Sequence, residues 1–185
     1  MASVGVHHGL APVLDVVRDY RWGRVEETMG EDPYLVSKLG LAYVEGLQSG
    51  GVIATAKHFA GYSASRAARN HAPAPAGPRE LADVILPPFE KAVVAGRIGS
   101  VMNAYNEVDG IPCAANQDLL TSLLRDAWGF TGTVVSDYWS VAFLASLHHV
   151  AEDVTGAARL ALAAGIDVEL PHTAGFDDQL LADCS

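Results

Sequence analysis

A carboxylate closes a β-branched run in Gly132-Thr133-Val134-Val135-Ser136-Asp137, and two aromatic residues, Tyr138 and Trp139, follow it. A short apolar strand ending in Asp is how an α/β protein presents a catalytic side chain, because the strand is rigid and its C-terminal end opens onto a crevice. Such a carboxylate can serve as a nucleophile, and the aromatics offer the flat apolar wall on which sugar rings pack. Asp137 could equally cap the helix that follows. The local residues leave both readings open.

Polar side chains recur at the ends of other strand-like segments: Asp15, Lys57, His58, Tyr105 and Glu169. In a parallel barrel all strand C-termini face one way, so these residues would converge on one pocket. Lys57-His58 sets a cation beside an imidazole, both suited to donate to sugar hydroxyls. The plainer reading is a lysine neutralising a barrel carboxylate and a histidine satisfied in the core. Arg18, Arg21 and Arg24 surround Trp22 and lead into Glu26, Glu27, Glu31 and Asp32. Most of these charges read as surface pairs or helix-terminus partners. One guanidinium turned inward would suit bidentate contact with vicinal hydroxyls.

Other chemistries find little support. His7-His8 and His148-His149 lack the i, i+4 spacing that puts two metal ligands on one helix face. No glycine pattern matches a phosphate loop or dinucleotide fingerprint. Ser136 lacks the nucleophile elbow of a serine hydrolase. Cys113 reads as a space-filler and Cys184 as part of a tail. With no Cys-x-x-Cys, neither a disulfide framework nor a structural zinc site is expected, and a reducing, cytoplasmic setting is the default.

Strand-like and helix-like segments alternate around these residues. Strands are expected at 9–17, 52–58, 100–105, 132–137 and 166–170. Asp32 and Pro33 open a helix in which Leu35, Leu39, Tyr43 and Leu47 recur at helical spacing. A loop spans 61–78. A second helix covers about 79–95, broken at Pro87-Pro88. A polar turn occupies 106–110. Asn116 caps a third helix with Leu119, Leu120, Leu123, Leu124 and Ala127 on one face and Gly129 behind it. A last helix spans about 155–164, ahead of Gly165. Short apolar strands alternating with helices mean a parallel sheet covered by helices. A doubly wound sheet and a (β/α)₈ barrel both fit. Five strands are visible where a barrel needs eight and about 250 residues, so a barrel here would be incomplete.

The 185 residues are half hydrophobic and 18% charged, which excludes a disordered chain. A net charge of -10 argues against nucleic acid and anionic membranes as partners. No apolar stretch is long enough to span a bilayer, and residues 1–5 lack the regions of a signal peptide.

The motifs, taken in order, resemble glycoside hydrolase family 3, the retaining β-glucosidases, β-xylosidases and related exo-acting enzymes. The series runs Ala11-Pro12-Val13-Leu14-Asp15, Arg21-Trp22-Gly23-Arg24-Val25-Glu26-Glu27, Gly30-Glu31-Asp32-Pro33, Lys57-His58-Phe59, Leu86-Pro87-Pro88-Phe89, Met102-Asn103-Ala104-Tyr105-Asn106, Val135-Ser136-Asp137-Tyr138 and Ala164-Gly165-Ile166-Asp167. The resemblance implies a (β/α)₈ TIM-type barrel, of which 1–171 is a part and 172–185 a tail leading out. It makes Asp137 the nucleophile, Arg24, Lys57 and His58 the donors that hold the nonreducing-end sugar, and Tyr105 the aromatic beside the nucleophile. It implies no metal or organic cofactor. The substrate would be a β-linked oligosaccharide or an aryl or alkyl β-glycoside. A β-glucosidase is the first expectation, with a β-xylosidase or β-N-acetylhexosaminidase of the same family as the alternative. A truncated, inactive product or a noncatalytic sugar-binding remnant is the reading of another class. The family's acid/base residue and an upstream aspartate that grips the sugar have no counterpart here. The chain therefore reads as an internal piece of a longer enzyme, with open barrel edges that could self-associate.

Overall fold

In the computed structural model, residues 1–183 are described; the tail position expected for Cys184 lies outside them. Four strands form one parallel sheet. They are β1 (His8–Gly9), β2 (Ile53–Phe59), β3 (Ser100–Asn103) and β6 (Thr133–Val135), in the order β1-β2-β3-β6. Single bridges at Val13↔Lys57 and Val135↔Val168 extend it at either side. Successive parallel strands are joined by helical crossovers, and the helices pack on one face of the sheet. This is a parallel α/β arc of the (β/α) barrel type.

The expected strand at 9–17 is shorter and more broken than the sequence suggested. Pairing begins at His8, and Pro12 offers no N–H to the ladder. The chain still runs alongside β2 as far as Leu14, whose N–H donates to the Lys57 carbonyl at 2.6 Å. Asp15 thus falls just past the end of pairing. The segment expected as a strand at 166–170 pairs only through Val168.

Helix Pro33–Ser49 starts as its sequence dictates, with the Asp32 carboxylate accepting the Leu35 N–H at 2.9 Å. The stripe that marks it as helical is not the face it buries. Leu35, Leu39 and Tyr43 are each nearly half exposed, whereas Val36, Gly40 and Val44 face the sheet. Gly40 permits that approach: a Cβ there would meet Leu14 Cδ2 at 2.5 Å.

The helical region Pro78–Glu80 continues through a wide turn, Leu81–Ile85, closed by Leu86 N–H to the Leu81 carbonyl, and restarts as Pro87–Val94. The break falls where Pro87 lacks a donor. The Asn116-capped helix, Asp118–Ala127, also carries five-residue turns rather than ordinary α-helical ones. Helices Ser140–Ser146 and Val154–Ala164 complete the layer. Phe59, Phe89, Val101, Leu120, Leu124, Val134, Leu144 and Ile166 form the core between sheet and helices. The other face of the sheet stays open, with Ile53 45% and Val168 40% exposed.

A small hairpin, β4 (Glu107–Val108) and β5 (Ile111–Pro112), occupies the expected polar turn. Ala74 bridges to Val108, its N–H donating to the Glu107 carbonyl at 2.9 Å. The 61–78 loop is therefore pinned at the sheet's C-terminal edge, over the site.

Candidate active site

The C-terminal ends of β2, β3 and β6 bring Lys57, His58, Tyr105 and Asp137 together, and the loop after Asp15 adds Arg24. All five sequence-predicted residues share one site. Its centre is His58, fully buried. The Asp15 carboxylate grips this residue twice, accepting its backbone N–H at 2.9 Å and its Nδ1–H at 2.8 Å, and takes the Ser63 N–H at 3.3 Å as well. With Nδ1 carrying a hydrogen, Nε2 is left to accept from Arg24 Nη1 at 3.0 Å. Glu27 clamps the other side of that guanidinium, at 2.6 Å from Nε and 2.8 Å from Nη2.

Of the three arginines around Trp22, only Arg24 reaches the site. Arg18 pairs with Glu80, and Arg21 pairs with Asp19. Arg24 also lies over the Tyr62 ring, 5.7 Å from its centroid. The Glu27 pairing raises the Arg24 pKa and depresses that of Glu27. Lys57 is half-buried. Burial and the Arg24 charge lower its pKa, while Asp137, Glu27 and Asp15 pull it back up.

Asp137 is held from two directions. Its backbone N–H donates to Asn103 Oδ1 at 3.1 Å, and its Oδ1 accepts the Tyr138 N–H at 2.7 Å. Oδ2 is buried with no hydrogen-bond partner and lies 3.8 Å from His58 Nε2. A buried polar atom without a partner calls for an explanation, and an open reaction site supplies one. The carboxylate is thus oriented by one oxygen and presented by the other.

Tyr105 stands beside it, donating its OH to the Tyr138 carbonyl at 2.9 Å; burial and the Asp137 charge drive its pKa strongly upward. Tyr62 meets His58, Trp22 and Tyr105 edge to face at 4.9, 5.1 and 5.6 Å. Burial pushes its phenol up to about 12. His71 and Phe143 extend this aromatic wall from Tyr105.

A family model described as the glycosyl hydrolase family 3 N terminal domain matches residues 1–181. The chain belongs to glycosyl hydrolase family 3. A β-xylosidase of Formosa agariphila is 48% identical over 177 residues, which is 91% of this chain and 24% of that protein. A periplasmic β-glucosidase of Salmonella typhimurium is 37% identical, over 91% of this chain and 23% of its own length. Among solved structures, a β-glucosidase from Listeria innocua superposes with a TM-score of 0.89 at 36% identity, covering 96% of this chain and 26% of its own. The chain spans about a quarter of the length of these family 3 relatives.

Two residues that sequence reasoning left without a role hold this cluster together: Asp15, noted only as a strand-end carboxylate, and Glu27, grouped with surface charges. The i, i+3 spacing of Arg24 and Glu27 was the available signal. Asn103 gave none. Glu169, the other strand-end carboxylate, does not join the site: its Oε2 accepts the N–H groups of Ala174, Gly175 and Phe176 at 2.8, 2.9 and 3.0 Å. The histidine pairs are used singly, His8 on Thr55 and His148 on the Tyr105 carbonyl. Cys113 fills a buried position, its thiol donating to the Ala60 carbonyl and pushed up to about 12 by burial.

Proposed function

We propose that this chain carries the nucleophile half of a retaining, exo-acting β-glycosidase. The carrying observation is Asp137 itself: one oxygen fixed by a backbone N–H, the other buried, unpartnered and 3.8 Å from His58 Nε2. In this reading Oδ2 attacks the anomeric carbon of a nonreducing-end sugar and the glycosidic C–O bond breaks. The leaving oxygen takes a proton from a general acid. Water then attacks the glycosyl-enzyme and releases the sugar with retained configuration. Arg24 and Lys57 donate to the sugar hydroxyls, and the Tyr62–Tyr105 wall packs on the ring. Glu169 is given no part in this reading: its Oε2 is committed to the backbone N–H groups of Ala174, Gly175 and Phe176.

Two sugars compete. Relatives named β-glucosidase support glucose, the first expectation from sequence. The 48% identity to a protein named β-xylosidase supports xylose. An aryl glycoside panel on the full-length polypeptide separates them. The nucleophile is tested by labelling with a 2-fluoro glycoside and mapping the peptide. The label is expected on Asp137; a label on any other carboxylate overturns the reading.

A further inference from the structure

Asn103 is fully buried on β3, and no step of the proposed chemistry uses it. All of its side-chain bonds serve the turn that carries Asp137 or its own strand. Oδ1 accepts the Asp137 N–H at 3.1 Å and the Ser140 hydroxyl at 3.2 Å, while Nδ2 donates to the Ala104 carbonyl at 2.8 Å. The orientation of the amide is fixed by chemistry, because a backbone N–H can only donate and therefore demands the oxygen.

The turn so held is an unusual one. Trp139 takes φ 61, in the left-handed region that residues with a Cβ rarely adopt. Ser140 N–H closes on the Asp137 carbonyl at 3.0 Å, and the Trp139 N–H on the Leu170 carbonyl at 2.9 Å. Helix Ser140–Ser146 starts immediately afterwards. Only four residues, 136–139, separate the end of the strand at Val135 from the start of the helix at Ser140, with Asp137 at the pivot. One oxygen from the neighbouring strand ties both ends of that pivot, Asp137 and Ser140, to β3. Tyr105, two residues further along the same strand's path, ties the middle by donating to the Tyr138 carbonyl.

We propose that Asn103 is a positioning residue for the reaction: it fixes the backbone from which Asp137 Oδ2 is aimed at the anomeric carbon. The proposal rests on the nucleophile reading of Asp137. It predicts a loss in the chemical step with little change in ground-state binding, since Asn103 is fully buried and bonded to the backbone of Asp137 and to Ser140. A misplacement of about 1 Å is enough to cost on the order of 10²-fold in rate.

The test is kinetics on the full-length polypeptide with Asn103→Ala and Ser140→Ala, each corrected for competent sites by active-site titration with the 2-fluoro glycoside. Asn103→Ala is expected to lower kcat by about 10- to 100-fold with KM within about 2-fold. Ser140→Ala removes one of the two bonds to Oδ1 and is expected to lower kcat by about 2- to 10-fold. The Asp137 amide should exchange with solvent faster in Asn103→Ala. Unchanged kcat per competent site, or a loss carried by KM, overturns the assignment. Should Asn103→Ala fail to fold, Ser140→Ala decides alone, and an unchanged kcat there is fatal. A label on Asp137 with unchanged kcat in the variants removes only the role of Asn103. A label elsewhere removes the nucleophile reading and this inference together.

Discussion

His58 and Asp137 face each other across 3.8 Å, from Nε2 to Oδ2, without sharing a hydrogen bond. The imidazole is already committed on both sides, donating to Asp15 and accepting from Arg24. Asp15, His58, Arg24 and Glu27 form a continuous row, and Asp137 lies beside it with one oxygen uncommitted. The nucleophile candidate is therefore surrounded by polar groups that do not neutralise it through direct contact.

Asp15→Asn should disable the site without touching a ligand. An amide can keep one acceptor toward His58, but its NH₂ then confronts the Ser63 N–H, donor against donor. A loss of about 1–3 kcal/mol in stability is expected from the unsatisfied group. His58 also loses the partner that fixes its Nδ1–H form. Thermal unfolding and turnover of the full-length polypeptide check this. Wild-type values in both would contradict the role given to Asp15.

Arg24→Ala and Lys57→Ala should weaken transition-state binding more than folding. Each deletes charge-assisted hydrogen bonds to hydroxyls, together with about 1.5–3 kcal/mol of kcat/KM per residue. Arg24→Ala should be the more damaging, because it also strands Glu27 and leaves His58 Nε2 unpaired. An unchanged specificity constant in either variant would assign that residue to structural pairing.

Acid should destabilise the fold before the carboxylates titrate. His8, His71 and His148 all have pKa values depressed by burial. As pH falls below about 6.5 the unfolded chain takes up protons that the folded chain refuses, so stability is lost downward from there until the folded pKa is passed. Urea midpoints between about pH 7 and 5 measure this. His148→Asn should flatten part of the slope, since the His148 side chain is largely buried, with Nε2 3.0 Å from the Tyr105 carbonyl. A flat wild-type profile over that interval would refute the effect.

The 185-residue polypeptide by itself should show little or no glycosidase activity and should self-associate. Leu35, Leu39 and Tyr43 line the outside of one helix, and Ile53 and Val168 line the open face of the sheet. Both are apolar surfaces of the kind that recruit partners. Without a general acid, catalysis loses a factor of typically 10²–10⁴, so any residual turnover should favour activated aryl glycosides. Sedimentation and assays on a nitrophenyl glycoside and a disaccharide decide it. A stable monomer that cleaves the disaccharide would defeat this expectation.

The strand ends were legible because apolar β-branched runs stop at polar residues, and Lys57, His58, Tyr105 and Asp137 sit at those stops. Arg24 was legible only through the resemblance, since three arginines in one loop look alike until the fold turns one inward. Asn103 was invisible: a polar residue inside a strand says nothing of which neighbour it serves. Helical spacing marked Leu35, Leu39 and Tyr43, but periodicity cannot tell which of two apolar faces is covered. The hairpin escaped notice because each of its strands is two residues long, too short for alternation to show.

The row through His58 also sets a charge balance. Asp15, Glu27 and Asp137 bring three carboxylates to the site, and Arg24 and Lys57 bring two cations, with the imidazole lending neither sign while it accepts from Arg24. A neutral sugar enters such a site without electrostatic cost. An anionic ligand meets a surplus of like charge. Under the proposed reaction, a ring that becomes oxocarbenium-like at its anomeric carbon would gain from the same surplus. On that reading, the cluster that holds the carboxylate in place would also favour the summit of the reaction over its start.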